Sequence, residues 1–458
     1  MKRIVSLLLI LLLLAPCALA EDLDFTGAVE QEEVTDEQVL EAMYGAYPPS
    51  DLLSQTLPEG KKTVTILSHY SLGETKEYFN KLFGGEIVEV ICGVSEYASK
   101  LTNMIASGNA PDLVVCESST NPSVAVYANA GLVQPFDPYI DYTVPELAGL
   151  KDTYDAGIWN GSHYLAPYTD KPLYFLIYNP VIFEEYGLET PWELWEKGEW
   201  TWNEFRDLAQ QLNVQDADGS WLTFGTAIPP YSILSASTGV DYLTMGDGTF
   251  TINLNNPSIV RAENFINDMI FKDDIIKIKA QNAWKAYWNR GKLAMQIVDS
   301  WMFEGDGDIS KAAKNGRLGI APLPQDPEYN VPGEYHTYAQ SGGFCLVNGA
   351  KNPEGAALFI RMLRYTRLYE VPEIGVEYQK KLDSLHESGF TNEVLLQKVA
   401  AWDTSKAVTS FGYGIMAELG IWEFMGSQNN WTSYVETILP NVQETVRELT
   451  EKNGGNEQ

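Results

Sequence analysis

Between residues 63 and 116 two periodicities alternate with almost no linker, and this stretch narrows the fold more than any other. Thr63–His69 is a β-branched apolar run, Glu74–Phe83 has helical spacing, and Glu86–Cys92 reads as a second strand. Ser95–Ser107 follows as a helix with Tyr97, Leu101 and Met104 or Ile105 on one face, stopped by Gly108. Asp112–Cys116 is a third strand, apolar along its interior. Strand–helix–strand–helix–strand at this spacing requires parallel strands joined by right-handed crossovers. Further strands are expected at Tyr174–Tyr178 and Gly343–Val347, with mostly helix from Glu373 onward. A single core stops growing at roughly 250–300 residues. With 458 residues, 45% of them hydrophobic, the chain is expected to form at least two lobes.

Helix starts are marked in several places. Asn121-Pro122, Asn256-Pro257 and Asn352-Pro353 each set an N-cap side chain before a proline suited to the first helical position. Thr201-Trp202-Asn203-Glu204 has the spacing of a capping box, and Trp200 with Phe205 can form its hydrophobic staple.

At the N-terminus Lys2 and Arg3 precede the apolar run Ile4–Leu14, and Ala18 and Ala20 bracket Leu19. This is the order of a secretory signal over residues 1–20, with cleavage expected after Ala20. The protein is therefore expected to be exported: extracellular, at the cell surface or periplasmic. The alternative reading makes Cys17 a lipidated cysteine. Residues 21–62 are acidic and weakly patterned, and are expected to form a tether or arm, with a short helix around Asp36–Met43. Past the signal stand Cys92, Cys116 and Cys345, an odd number at wide spacing with no CxxC knuckle. Any one pair of them can bridge.

Acidic residues outnumber basic ones 62 to 31, a net charge of −31. Such a chain has no basic face for nucleic acid, and an anionic membrane surface repels it. None of the four histidines falls in a HExxH pair, and there is no G-x-S-x-G elbow or GxxxxGK[ST] loop. Gln215–Gly219 resembles the start of a calcium loop but has Trp221 where the turn glycine belongs, so a plain turn is expected. No metal, cofactor or catalytic residue is expected. The chain has 12 Trp, 25 Tyr and 17 Phe instead. Most must be core, but rings at a cleft also pack on the C–H faces of a pyranose. These features suit a receptor for a polar small molecule better than a secreted glycoside hydrolase or lyase, or an adhesion scaffold.

Several stretches, in order, carry a family pattern. They include Ala106-Ser107-Gly108-Asn109-Ala110-Pro111-Asp112, Asn129-Ala130-Gly131-Leu132-Val133-Gln134-Pro135-Phe136-Asp137 and Tyr164-Leu165-Ala166-Pro167. Further on come Leu176-Ile177-Tyr178-Asn179, Asn289-Arg290-Gly291-Lys292-Leu293-Ala294-Met295 with Trp301, and Gly342-Gly343-Phe344 leading to Asn352-Pro353-Glu354-Gly355. Across residues 63–365 the sequence resembles the family 1 extracellular solute-binding proteins, the sugar receptors of bacterial ABC importers.

The resemblance implies an α/β type II periplasmic-binding fold: two lobes with a hinged ligand cleft. Residues 63–172 with 319–365 would form lobe one, and 176–315 with 372–458 lobe two. Hinges would fall near 172–176, 316–322 and 366–372. It implies a monomer that binds a carbohydrate and delivers it to membrane permease subunits. In open α/β sheets, ligands sit beyond the carboxyl ends of strands. Ser68, His69, Tyr70, Glu117, Ser118 and Ser119 are candidate ligand contacts on that rule, and Asp170 and Lys171 stand before the first crossing. Trp301 matches the family's cleft tryptophan, though Asp299-Ser300 replaces the small residues relatives carry there. Gly342 and Gly343 would let backbone approach the ligand. Trp402 is a further candidate, for which core packing competes with stacking, as it does for Trp422. His69 can equally be a satisfied strand-end histidine, and Ser118 or Ser119 a helix cap. Trp159 is expected at the rim.

Overall fold

The computed structural model describes residues 34–45, 47–93, 96–116, 123–229, 233–280, 282–304, 307–403, 405–412, 415–416, 424 and 430–451. The expected signal peptide, Glu117, Ser118, Ser119, Asn121-Pro122 and Trp422 lie outside them. From Asp36 onward the chain forms one compact unit.

Two sheets organise it. The first holds β1 (Thr63–Ser68), β2 (Glu86–Ile91), β3 (Leu113–Val115), β4 (Val133–Gln134), β7 (Leu165–Pro172), β15 (Tyr335–Val347) and β16 (Ser405–Thr409). Its main order is β16-β15-β3-β1-β2, with β4 and β7 also paired to β15. As the crossover pattern requires, β1 runs parallel to β2 and β3, with the Thr75–Phe83 and Tyr97–Ala106 helices between them. A small hairpin, β5 (Ile158–Trp159) and β6 (Ser162–His163), precedes β7.

The second sheet has the order β14-β8-β13-β10-β9, where β8 is Tyr174–Tyr178, β9 Val214–Gln215, β10 Trp221–Thr226, β13 Leu293–Asp299 and β14 Gly319–Ala321. A separate hairpin pairs β11 (Leu243–Gly246) with β12 (Thr249–Ile252). All five residues of β8 are buried, which explains its unbroken apolar sequence. Gly225 lets β10 meet the Trp202–Gln211 helix, since a Cβ there would lie 1.9 Å from the Ala209 carbonyl oxygen.

Buried Asp112 explains the Pro-Asp signature. One carboxylate oxygen accepts from the Thr65 N–H at 2.8 Å; the other accepts from Lys351 and Asn352 N–H at 2.8 and 2.7 Å. A single side chain thus ties β1 to the turn after β15. Asn256 and Asn352 cap their helices as expected. Thr201 does not: its hydroxyl bonds Glu204 and accepts no backbone N–H, although Trp200 and Phe205 meet edge to face.

Several expectations need correction. Residues 36–62 are no loose arm. The Asp36–Tyr44 helix packs on the Tyr378–Glu387 and Asn392–Asp403 helices, with Tyr44 stacked 4.1 Å from Tyr378, and Leu52 is fully buried. The acidic surface of this stretch hid the few apolar residues that dock it.

β14 belongs to the second sheet, antiparallel to β8, so lobe one cannot begin at residue 319. The chain passes between sheets over residues 322–334 rather than 316–322. β16 returns to the first sheet, parallel to β15, so 372–458 is not wholly lobe two. Short SKAVT, amid helices, gives too little alternation to be read as a strand. Trp159 is wholly buried against Phe250 instead of lining a rim, with its indole N–H donating to the Asn129 side chain at 2.8 Å.

Candidate ligand-binding site

Among the described residues, β16 and β3 leave a stretch of β15 between them. Ala339 of β15 pairs with Thr409 on one side and Pro172 on the other, and Phe344 pairs with Val115 and Ala166 in the same way. β16 and β3 therefore share the side of β15 opposite β7. They run toward each other, and their carboxyl ends converge on residues 340–343. β1 is parallel to β3, so Ser68 ends at the same place. This is the crevice that open α/β sheets offer to ligands.

At the end of β1, Ser68 is buried, donating to the Tyr70 carbonyl at 2.6 Å and accepting from the Tyr70 N–H at 3.2 Å. Its hydroxyl shapes the turn. His69 sits edge-on to Tyr70 and Tyr97, and its burial lowers its pKa, favouring the neutral ring. The Tyr70 hydroxyl lies 3.4 Å from that of Tyr168.

Opposite Gly342 and Gly343 of β15 the pairing shifts by one residue, with Tyr168 of β7 as the extra residue. A Cβ on Gly342 would lie 2.8 Å from Thr169 Cγ2 and 3.2 Å from the Tyr168 hydroxyl. One on Gly343 would lie 2.8 Å from Leu165 Cδ1. β7 thus fills the space next to both glycines, and its close approach suffices to require them.

Lys171 and Trp402 come together at a second place. They line a pocket of about 560 Å³ with Asp152, Thr244, Ser405 and Thr409 among its polar residues. The Lys171 and Lys398 ammonium groups lie 6.0 and 5.0 Å from the Trp402 ring centre, and Phe175 meets it edge to face. Asp170 pairs with Ser341 through the backbone.

Trp301 stands at the first crossing between sheets. Leu173, between β7 and β8, donates its N–H to the Tyr338 carbonyl at 2.7 Å and accepts from the Ser300 N–H at 2.8 Å. Its two backbone bonds thus reach both sheets. The residue after Ser300, Trp301, is 50% exposed, which rules out a core role. Beside it the Asp299 carboxyl is pushed up to about 6 by burial, against a smaller opposing pull from the Trp301 side chain. Half of the Trp301 surface is left open to a partner. Sequence reasoning missed β16, whose carboxyl end borders the crevice.

Two mixed sheets, a chain that crosses between them several times and strand ends gathered at one edge define a type II periplasmic-binding fold. The chain belongs to the bacterial extracellular solute-binding protein family, whose pattern matches residues 73–364. Membership places it among exported proteins, and among the described residues no helix is long and apolar enough to cross a membrane.

Solved structures share the fold. One is the maltose/maltodextrin-binding domain MalE from Bdellovibrio bacteriovorus, bound to maltotriose: 18% identity, 84% of this chain and 100% of that one, TM-score 0.58. The GacH receptor of Streptomyces glaucescens, solved unliganded and with acarbose, has 18% identity, 85% and 98% coverage and TM-score 0.59. The galacto-N-biose/lacto-N-biose I-binding protein of the Bifidobacterium longum ABC transporter, with lacto-N-biose, has 14% identity, 86% and 99% coverage and TM-score 0.59. No curated protein matches the sequence.

Proposed function

We propose that this protein is a non-enzymatic receptor that captures a sugar or oligosaccharide outside the membrane and delivers it to the permease of an ABC importer. The observation that carries this reading is the half-exposed Trp301, beside the crossing at Leu173. A large apolar ring left in water at a hinge is suited to a pyranose face. The three relatives above are described with maltotriose, acarbose and lacto-N-biose, which supports a carbohydrate. In this reading the lobes are residues 63–172 and 176–315 with the later segments divided between them, the chain is a monomer, and a ligand touching both lobes favours closure. His69, Tyr70, Lys171, Trp301 and Trp402, with residues 117–119, are the proposed contacts.

A thermal-shift screen over mono- and oligosaccharides tests it. A ligand at 100 times its dissociation constant adds about 2.7 kcal/mol of stability. The expected result is a raised melting temperature with at least one sugar, and a smaller radius of gyration by scattering in its presence. Stabilisation only by amino acids or peptides would overturn the carbohydrate reading. Trp301→Ala should then weaken the sugar by about thirtyfold, or 2 kcal/mol. Because the ring is half exposed, the melting temperature of the free protein should hardly move. Calorimetric titration showing binding retained within about threefold removes Trp301 from the site.

A further inference from the structure

We propose that Cys116 and Cys345 form a disulfide in the exported protein, fastening β3 to β15, while Cys92 remains a thiol. The register pairs Cys345 with Val114, so Cys116, two residues further on, projects from the same face. Both are free thiols in the structure, and Cys116 adds to the upward shift that burial imposes on the Cys345 thiol. Cys345 is wholly buried and Cys116 is 3% exposed. Beside them the Tyr127 hydroxyl is buried without a hydrogen-bond partner and within electrostatic reach of both sulfurs.

Two thiols from strands far apart in sequence thus meet in a dry site, in a family that works where disulfides persist. Cys92 is half-buried just past β2. Diagonal neighbours in an antiparallel pair are roughly 7–8 Å apart at Cα, somewhat beyond disulfide span. Closing the bond therefore draws β3 and β15 together locally.

The reaction is thiol–disulfide exchange with an external disulfide, carried by a small molecule or a protein oxidant. Each cysteine loses its proton, the pair gives up two electrons and the Cys116–Cys345 bond forms. The S–S bond of the oxidant breaks to two thiols. Burial holds the Cys345 thiol well above its usual range, so the bond is expected to form before β15 is fully packed and then to be shielded from exchange.

The test is peptide mapping of the exported protein, unfolded in guanidinium with iodoacetamide and digested without reductant. The expected result is a crosslinked peptide holding Cys116 and Cys345, with Cys92 alkylated. Reductant should lower the melting temperature by roughly 5 °C or more. Cys92→Ser should keep both the crosslink and this sensitivity, and a Cys116→Ala/Cys345→Ala variant should lose them. Alkylation of all three cysteines before reduction, or a crosslink containing Cys92, would overturn the proposal.

Discussion

Arg361→Met should lower the unfolding free energy by about 3–5 kcal/mol, read from urea denaturation at neutral pH. Arg361 leaves the long Pro353–Leu368 helix and donates to Glu146 at 2.6 Å and to Asp51 at 2.8 Å. The Glu146 side chain is fully buried and accepts a further bond from the Ser50 hydroxyl at 2.7 Å. Removing the guanidinium strands a carboxylate away from water, and the cost of that unpaired charge exceeds the pair's own net worth. Asp51 is 61% exposed, so Asp51→Asn should cost less than about 1 kcal/mol. Replacing Arg361 and Glu146 together by apolar residues should recover most of the loss. A loss below about 1 kcal/mol for Arg361→Met would show that Glu146 is not held by this pair.

Asp241→Asn should stabilise the protein at pH 8 and leave it almost unchanged at pH 4. Asp241 lies wholly buried before β11, accepting the Ser410 hydroxyl at 2.9 Å, while its other oxygen has no hydrogen-bond partner. Burial pushes its pKa up to about 7, against the weaker pull of Ser410 and the Tyr242 and Leu243 N–H groups. The folded value exceeds the unfolded one, near 3.9. Below that value both states hold the proton and nothing is lost. As pH rises through about 4 to 7 the unfolded chain ionises first, so stability falls across that window and levels off above it. Ionising a carboxyl held at about 7 in the fold rather than about 4 costs the folded state on the order of 4 kcal/mol. Asp299, raised to about 6, and Asp403 act in the same direction in both proteins, so the difference between wild type and variant isolates Asp241. Urea unfolding at pH 4 and pH 8 measures it. Parallel pH profiles would place the Asp241 charge elsewhere.

The crossovers from Thr63 to Cys116 were legible because local periodicity and tertiary demand coincide there. β1 and β3 are buried along most of their length, β2 closes the sheet edge, and each helix covers the sheet with one apolar face. Asn256 and Asn352 were legible for the same reason, since a cap acts within three residues. Thr201, with capping-box spacing, bonded its glutamate instead, because side-chain competition is decided by the final geometry. Trp301 stood out only through its resemblance to a family pattern, and its exposure now gives it a physical basis.

The sequence alone determined the class of this protein: α/β layers with parallel crossovers from Thr63 to Cys116, too large for one core, with family motifs from Ala106 to Glu354. Those properties follow from pattern and composition, which act over a few residues at a time. Only the tertiary structure decided which sheet received β14 and β16, where Lys171 met Trp402, and which cysteines lie on neighbouring strands. Each of those depends on pairing between residues far apart in the chain. A strand as short as Ser405–Thr409 carries no mark of its partner, because its backbone hydrogen bonds are the same whichever edge it joins.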